Sequence, residues 1–146
     1  MEGDGKMRIK ALIVDDMRTI RFYEKKLLEE MGYDVEEATN GVEALEMIAQ
    51  NRPDLVLMDI VMPQMGGIEC CRRIKSNPSL KNTKIIMVSS KNEYTQVDEA
   101  FKVGCDDYVI KPIQQGELIR KLNELSLFIR CRHRISASKG LAMFHS

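Results

Sequence analysis

The stretch "LVLMDIVMPQMGG", residues 55–67, decides how this chain is read. Leu55 to Met58 are four consecutive apolar residues, the mark of a short strand covered on both faces. The chain then delivers Asp59, a carboxylate at the end of an apolar strand, and turns away through Pro63 and the Gly66-Gly67 pair. A single strand-end aspartate is commonplace. Several acids gathered on the same rim of a sheet would be a site.

Working outward, strands and helices alternate. "IKALIV" (9–14) is an apolar run of strand length that ends at Asp15-Asp16. In "MRTIRFYEKKLLEEMG" (17–32), Ile20, Tyr23, Leu27 and Met31 recur at helical spacing and predict an inward face. Gly32 suits the position just past a helix, where a left-handed residue is needed. "DVEEA" (34–38) reads as a short strand. Asn40 with Glu43 resembles a capping box, opening a helix with Val42, Leu45 and Ile48 inward, and Asn51-Arg52-Pro53 ends it. After the central stretch, Ile68, Cys71 and Ile74 mark one side of a helix starting near Gly67. A loop (77–83), a strand "KIIMVSS" (84–90), a helix (94–104) and a strand "DYVIK" (107–111) follow. A last helix from Gln115 carries Leu118, Leu122, Leu125 and Ile129. Five strand–helix units predict an α/β fold: a doubly wound, five-stranded parallel sheet of flavodoxin-like type, strand order 2-1-3-4-5.

In such sheets, sites form beyond the carboxyl ends of the strands, where strand order reverses. Asp15 and Asp16 follow the first strand, Asp59 the third and Ser89 the fourth, while Lys111 ends the fifth. All five therefore share one rim. Three crowded carboxylates repel, and a hard divalent cation relieves that repulsion; Mg²⁺ takes one or two carboxylates, water and a phosphate oxygen. Lys111 and Ser89 suit a phosphoryl group, as a point charge and a hydroxyl donor. Asp59 would be the nucleophile, ionised at neutral pH without a general base.

Composition bounds the rest. The chain has 146 residues, 44% hydrophobic and 30% charged, enough for one domain with a packed core. Its 22 basic and 22 acidic residues cancel, so bulk charge makes no case for direct nucleic-acid or membrane binding. No apolar run approaches the roughly 20 residues of a membrane span. Residues 1–7 read as a polar leader without a signal-peptide core, and a cytoplasmic location is expected. The cysteines at 70, 71, 105 and 131 form no C-x-x-C pair, and reduced thiols are expected. Residues 129–146, including the basic "RCRHR" (130–134), read as a helical extension and a tail.

"LIVDD" (12–16), "LVLMDIVMPQMGG" (55–67), "IIMVSS" (85–90) and "DYVIKP" (107–112) together closely resemble the receiver domain of two-component response regulators, over about residues 8–128. The resemblance implies that Asp59 accepts a phosphoryl group from a phosphohistidine on a sensor kinase or phosphotransfer protein. It implies that Asp15, Asp16, Asp59 and the backbone carbonyl of Val61 hold Mg²⁺, with Ser89 and Lys111 on the phosphoryl. Ser89 and Tyr108 stand at the family's switch positions, which remodel the face of the fourth helix, fifth strand and fifth helix towards a downstream target, an output domain or a second copy. Lys111-Pro112 is usually cis in the family. Val61 and Lys91 occupy positions that tune phosphoryl lifetime, and an apolar side chain and a long cation there favour a long-lived phosphorylated form. The protein would then be a signalling phosphoacceptor rather than a turnover enzyme. Rival readings are a receiver cut from a longer regulator, a flavin-binding flavodoxin, an aspartate-nucleophile phosphatase and a receiver that signals without phosphate. "DDMRTI" lacks a flavodoxin's hydroxyl-rich phosphate loop, and Val61 stands where such a phosphatase needs a second acid.

Overall fold

The computed structural model describes residues 8–126 and residue 129, with the side chains of Lys91 and Tyr94 excepted. The expected leader (1–7), the "RCRHR" segment and the tail lie outside the described residues. The chain groups into two units, Met1–Ile113 and Gln114–Ser146.

In the first unit the elements run β1 (Lys10–Val14), α1 (Arg18–Glu30), β2 (Asp34–Ala38), α2 (Gly41–Asn51), β3 (Leu55–Asp59), α3 (Gly67–Ser76) and β4 (Lys84–Ser89). A 3-10 helix (Lys91–Gln96), α4 (Val97–Lys102) and β5 (Asp107–Ile110) follow. The sheet is parallel throughout, in the order β2-β1-β3-β4-β5. Every residue of β3 is buried, as are all but the first of β1 and β4, because helices cover both faces of the central strands. Burial of Leu12, Val56, Met58, Ile85 and Met87 against Ala44, Ile48, Cys71 and Ile74 supplies much of the core, at about 1.5–3 kcal/mol for each large side chain. The edge strand β2 is mostly exposed and carries Glu36 and Glu37, charges that discourage pairing with another chain.

Local signals account for the ends of the helices. Gly32, at φ +88°, closes α1: its N–H donates to Glu29 O (2.9 Å) and that of Tyr33 to Leu28 O (3.2 Å), the paired bonds of a Schellman cap. Asn40 caps α2 by accepting from Glu43 N–H (2.9 Å), but Glu43 reaches back to Thr39 N–H rather than to Asn40.

Two helix faces differ from expectation. On α1 the buried residues are Glu24, Leu27 and Leu28, while Tyr23 is exposed. On α2 they are Gly41, Ala44 and Ile48, with Val42 exposed. Both helices are rotated by one position, since i+3 and i+4 serve the same face and only packing chooses between them. The helix expected over 94–104 is shorter, with a 3-10 segment taking its first turns.

In the second unit, residues 115–126 form helix α5, on which Leu118 and Leu122 are buried, as is Ile129. Among the described residues no helix is long and apolar enough to cross a membrane. Cys70, Cys71 and Cys105 are free and buried, and burial pushes their thiols up to about 12, 11 and 12 respectively. They are poor nucleophiles.

Candidate functional site

The three acids converge as the topology requires. Asp15 sits one residue beyond β1, where its N–H continues the pairing with β2 by donating to Ala38 O (3.2 Å). Its Oδ1 accepts from Met17 N–H (2.8 Å) and its carbonyl accepts from the Arg21 guanidinium (2.8 Å), so backbone and side chain are both fixed. Asp59 is the last residue of β3 and pairs in register with Val88 of β4. Asp15 and Asp59 are buried, Asp16 is exposed, and one carboxylate oxygen from each lies within 4.8 Å of the others. Oxygen donors alone, one open to solvent, fit a hard divalent cation that keeps part of its water.

Lys111 stands between two of them, its Nζ 3.3 Å from Asp15 Oδ2 and 3.4 Å from Asp59 Oδ1. The ammonium thus already neutralises part of the cluster. The backbone N–H of Lys111 donates to Ser89 O (2.7 Å), and the peptide bond to Pro112 is cis. Ser89 is fully buried at the end of β4, and its Oγ has no hydrogen-bond partner among the described residues. An orphaned hydroxyl costs about 1–3 kcal/mol, and a ligand oxygen would relieve that cost.

Tyr108 lies two residues before Ile110, the register partner of Ser89, so strand alternation puts it on the same face as Ser89. Its half-buried ring meets Phe101 of α4 edge-on, with centroids 5.8 Å apart. Val61 lies in the loop after β3 with its side chain exposed. The reading of Lys91 falls on a side chain outside the described residues.

The charges reinforce one another. Burial raises the Asp59 carboxyl to about 6; Asp15 adds to the rise, Lys111 opposes it and Glu93 contributes a further increase. Asp59 is still mostly ionised at neutral pH, but by a far narrower margin than its reference value of about 3.9 suggests. For Lys111, burial alone would lower the pKa; attraction to Asp59 and Asp15 outweighs it and the net shift is upward.

Three residues near the site were not foreseen. Glu24 of α1 is buried, its Oε2 has no partner among the described residues, and burial with repulsion from Asp15 raises it to about 8. An acid among apolar residues reads as solvent-facing in sequence. Gly67 is more than turn chemistry: a Cβ there would collide with the carbonyl oxygen of Asp59, so the strand that carries the acid can pack against α3 only if that position is glycine. Glu93 accepts from the backbone N–H of Ser90 (2.9 Å), and "SKNE" (90–93) has the spacing that could have revealed it.

Comparison with known proteins agrees with this fold. The model of the response regulator receiver domain matches residues 11–123. The chain is 41% identical over 119 residues to the chemotaxis protein CheY of Thermotoga maritima, covering 80% of this chain and 97% of that protein. It is 38% identical over 118 residues to protein PilG of Pseudomonas aeruginosa, covering 81% and 85%. The solved structure of chemotaxis response regulator CheY4 of Vibrio cholerae superposes with a TM-score of 0.76 at 30% identity, over 82% of this chain and 99% of that one. With the acids, the lysine and the hydroxyl on one rim of a 2-1-3-4-5 sheet, the chain belongs to the response regulator receiver domain family.

Proposed function

We propose that this receiver domain is the phosphoacceptor of a two-component phosphorelay. Asp59 takes a phosphoryl group from a phosphohistidine on a sensor kinase or phosphotransfer protein. A carboxylate oxygen of Asp59 forms the new bond to phosphorus as the bond to the imidazole nitrogen breaks, and the leaving imidazole keeps the electron pair. Asp15, Asp16 and Asp59, with the Val61 carbonyl, would hold Mg²⁺, which when bound would supply positive charge to the phosphoryl oxygens. Lys111 turns from the carboxylates to a phosphoryl oxygen, and the Ser89 hydroxyl donates to another. Asp15, fixed by its bonds to Met17 N–H and the Arg21 guanidinium, would hold the cation in place.

One observation carries this reading. Carboxylate oxygens of three acids lie within 4.8 Å of one another beside Lys111 and a buried Ser89 hydroxyl that has no partner among the described residues. That arrangement is short of positive charge and of one acceptor, and Mg²⁺ with a phosphoryl group provides both. Ser89 and Tyr108, on one face of neighbouring strands, would relay the change to a target, output domain or second copy. Val61 beside the site and Lys91 would slow water's access to the acyl phosphate. The chain acts on its own phosphoryl group and is a signalling protein rather than a turnover enzyme.

Mass spectrometry after incubation with Mg²⁺ and acetyl phosphate tests this. The parent gains one phosphoryl group and loses that ability with EDTA, while Asp59→Asn gains none. Metal-independent addition, or addition to the variant, would refute the assignment.

A further inference from the structure

Neighbouring strands in a parallel sheet are bonded alternately. The carbonyl of Val88 in β4 receives the N–H of Ile60 from the β3 side (3.0 Å), and the carbonyl of Ser89 receives that of Lys111 from the β5 side (2.7 Å). The next residue, Ser90, therefore turns its N–H back towards β3. On that side the strand has ended at Asp59, and the next carbonyl, that of Ile60, accepts instead from Gly67 N–H (2.8 Å). The Glu93 carboxylate fills the gap: its Oε1 accepts from Ser90 N–H at 2.9 Å, while Glu93 N–H donates to Ser90 O at 3.0 Å. The two bonds close the first turn of the 3-10 helix that leads into α4. They also place a half-buried negative charge on the β3 side of Ser90, just beyond the strand end that carries Asp59.

We propose that Glu93 is an electrostatic latch on the loop between β4 and α4: it holds the Ser90 N–H while Asp59 is bare and is driven off when Asp59 gains a phosphoryl group. This rests on the phosphoacceptor reading above. A phosphoryl group adds negative charge on the side of Ser90 where the Glu93 carboxylate accepts its hydrogen bond, and like charges repel. Once Glu93 leaves, its bond to the Ser90 N–H is lost and the 3-10 turn loosens. A donor on the Asp59 side of β4 becomes free for a phosphoryl oxygen. Glu93 acts through this backbone group and through its charge, as a positioning residue.

The charge and the cap can be separated. Glu93→Gln keeps an acceptor for Ser90 N–H without the charge, and Glu93→Ala removes both. Full-length parent and variants are incubated with saturating Mg²⁺ and acetyl phosphate, and initial phosphorylation rates are read by mass spectrometry. Amide exchange of residues 90–96 is followed with and without the donor. Glu93→Gln should be phosphorylated about threefold faster or more than the parent, with an unchanged thermal midpoint. Phosphorylation should speed exchange of the 3-10 turn in the parent at least severalfold, but not in Glu93→Ala, where the turn is already loose. A purely structural cap would leave Glu93→Gln at the parental rate, and that result overturns the proposal. So does exchange in the parent that ignores phosphorylation. If the parent takes up no phosphoryl group on Asp59, the phosphoacceptor reading fails first and the latch falls with it.

Discussion

The two ends of the sheet are built on opposite rules. At the amino edge, polar groups are answered. Asp106 accepts from Lys75 Nζ (3.0 Å) and from Ile85 N–H (2.8 Å), with Lys84 Nζ 3.6 Å away. Lys75 also donates to the carbonyls of Thr83 (2.6 Å) and Lys81 (3.1 Å), and Asp54 accepts from Lys10 N–H (3.0 Å). At the carboxyl edge, two of the three clustered acids, Asp15 and Asp59, share Lys111, while Ser89 Oγ and Glu24 Oε2 have no partner among the described residues. The first edge clamps α3 to the starts of β4 and β5. The second edge stores unmet charge and hydrogen-bonding capacity that a cation and a phosphoryl group can use. Stability and function are thus placed some five residues apart along the same strands.

That contrast can be broken at either end. The largest effect should come from Lys75→Met, which leaves Asp106 and two carbonyls short of a partly buried cation. Urea denaturation should show a loss of about 3–5 kcal/mol, with Mg²⁺-dependent phosphorylation retained in the folded fraction.

At the other end, Glu24→Leu should stabilise. The folded carboxyl titrates near 8, against an ordinary value of 4.5. Below the unfolded value Glu24 is protonated in both states, and any advantage of the neutral form is fully present. As pH rises from 4.5 to 8 the unfolded state releases its proton first, so the parent loses stability across that window. The variant has no such loss. Denaturation at pH 9 should favour it over the parent by about 2–4 kcal/mol more than at pH 4.5, because each tenfold difference in proton affinity is worth about 1.4 kcal/mol and solvent screens part of it. A pH-independent difference would show that Glu24 is not the strained acid of this edge.

Gly67→Ala sharpens the comparison on a smaller scale. The added methyl presses on the Asp59 carbonyl, with Met87 Cε also only 2.8 Å away. It should cost about 1–3 kcal/mol and slow phosphorylation of the folded protein, because the displaced group carries the nucleophile. Gly116→Ala, where a Cβ meets nothing within 4 Å, is the control and should do neither.

What could be read in advance follows the range of the interactions. The strand runs, the helix cap at Gly32, the strand order and the shared rim of Asp15, Asp16, Asp59, Ser89 and Lys111 all rest on local pattern or on topology, which a sequence carries along its length. The rotation of α1 by one position was not legible, because Tyr23 and Glu24 compete for the same face and apolar character favours the wrong one. The raised pKa of Asp59 was not legible either, since it sums burial with charges from β1, β5 and the loop after β4.

By itself, then, the sequence determined which residues would be brought to one edge of a parallel sheet, because alternation and residue type are enough to place strand ends. Only the tertiary structure decided how that edge is balanced: which acid is buried, which hydroxyl lacks a partner, and which carboxylate closes on Ser90. Those outcomes depend on distances of a few ångströms between elements far apart in the chain, and electrostatic energies in a desolvated site change steeply over such distances.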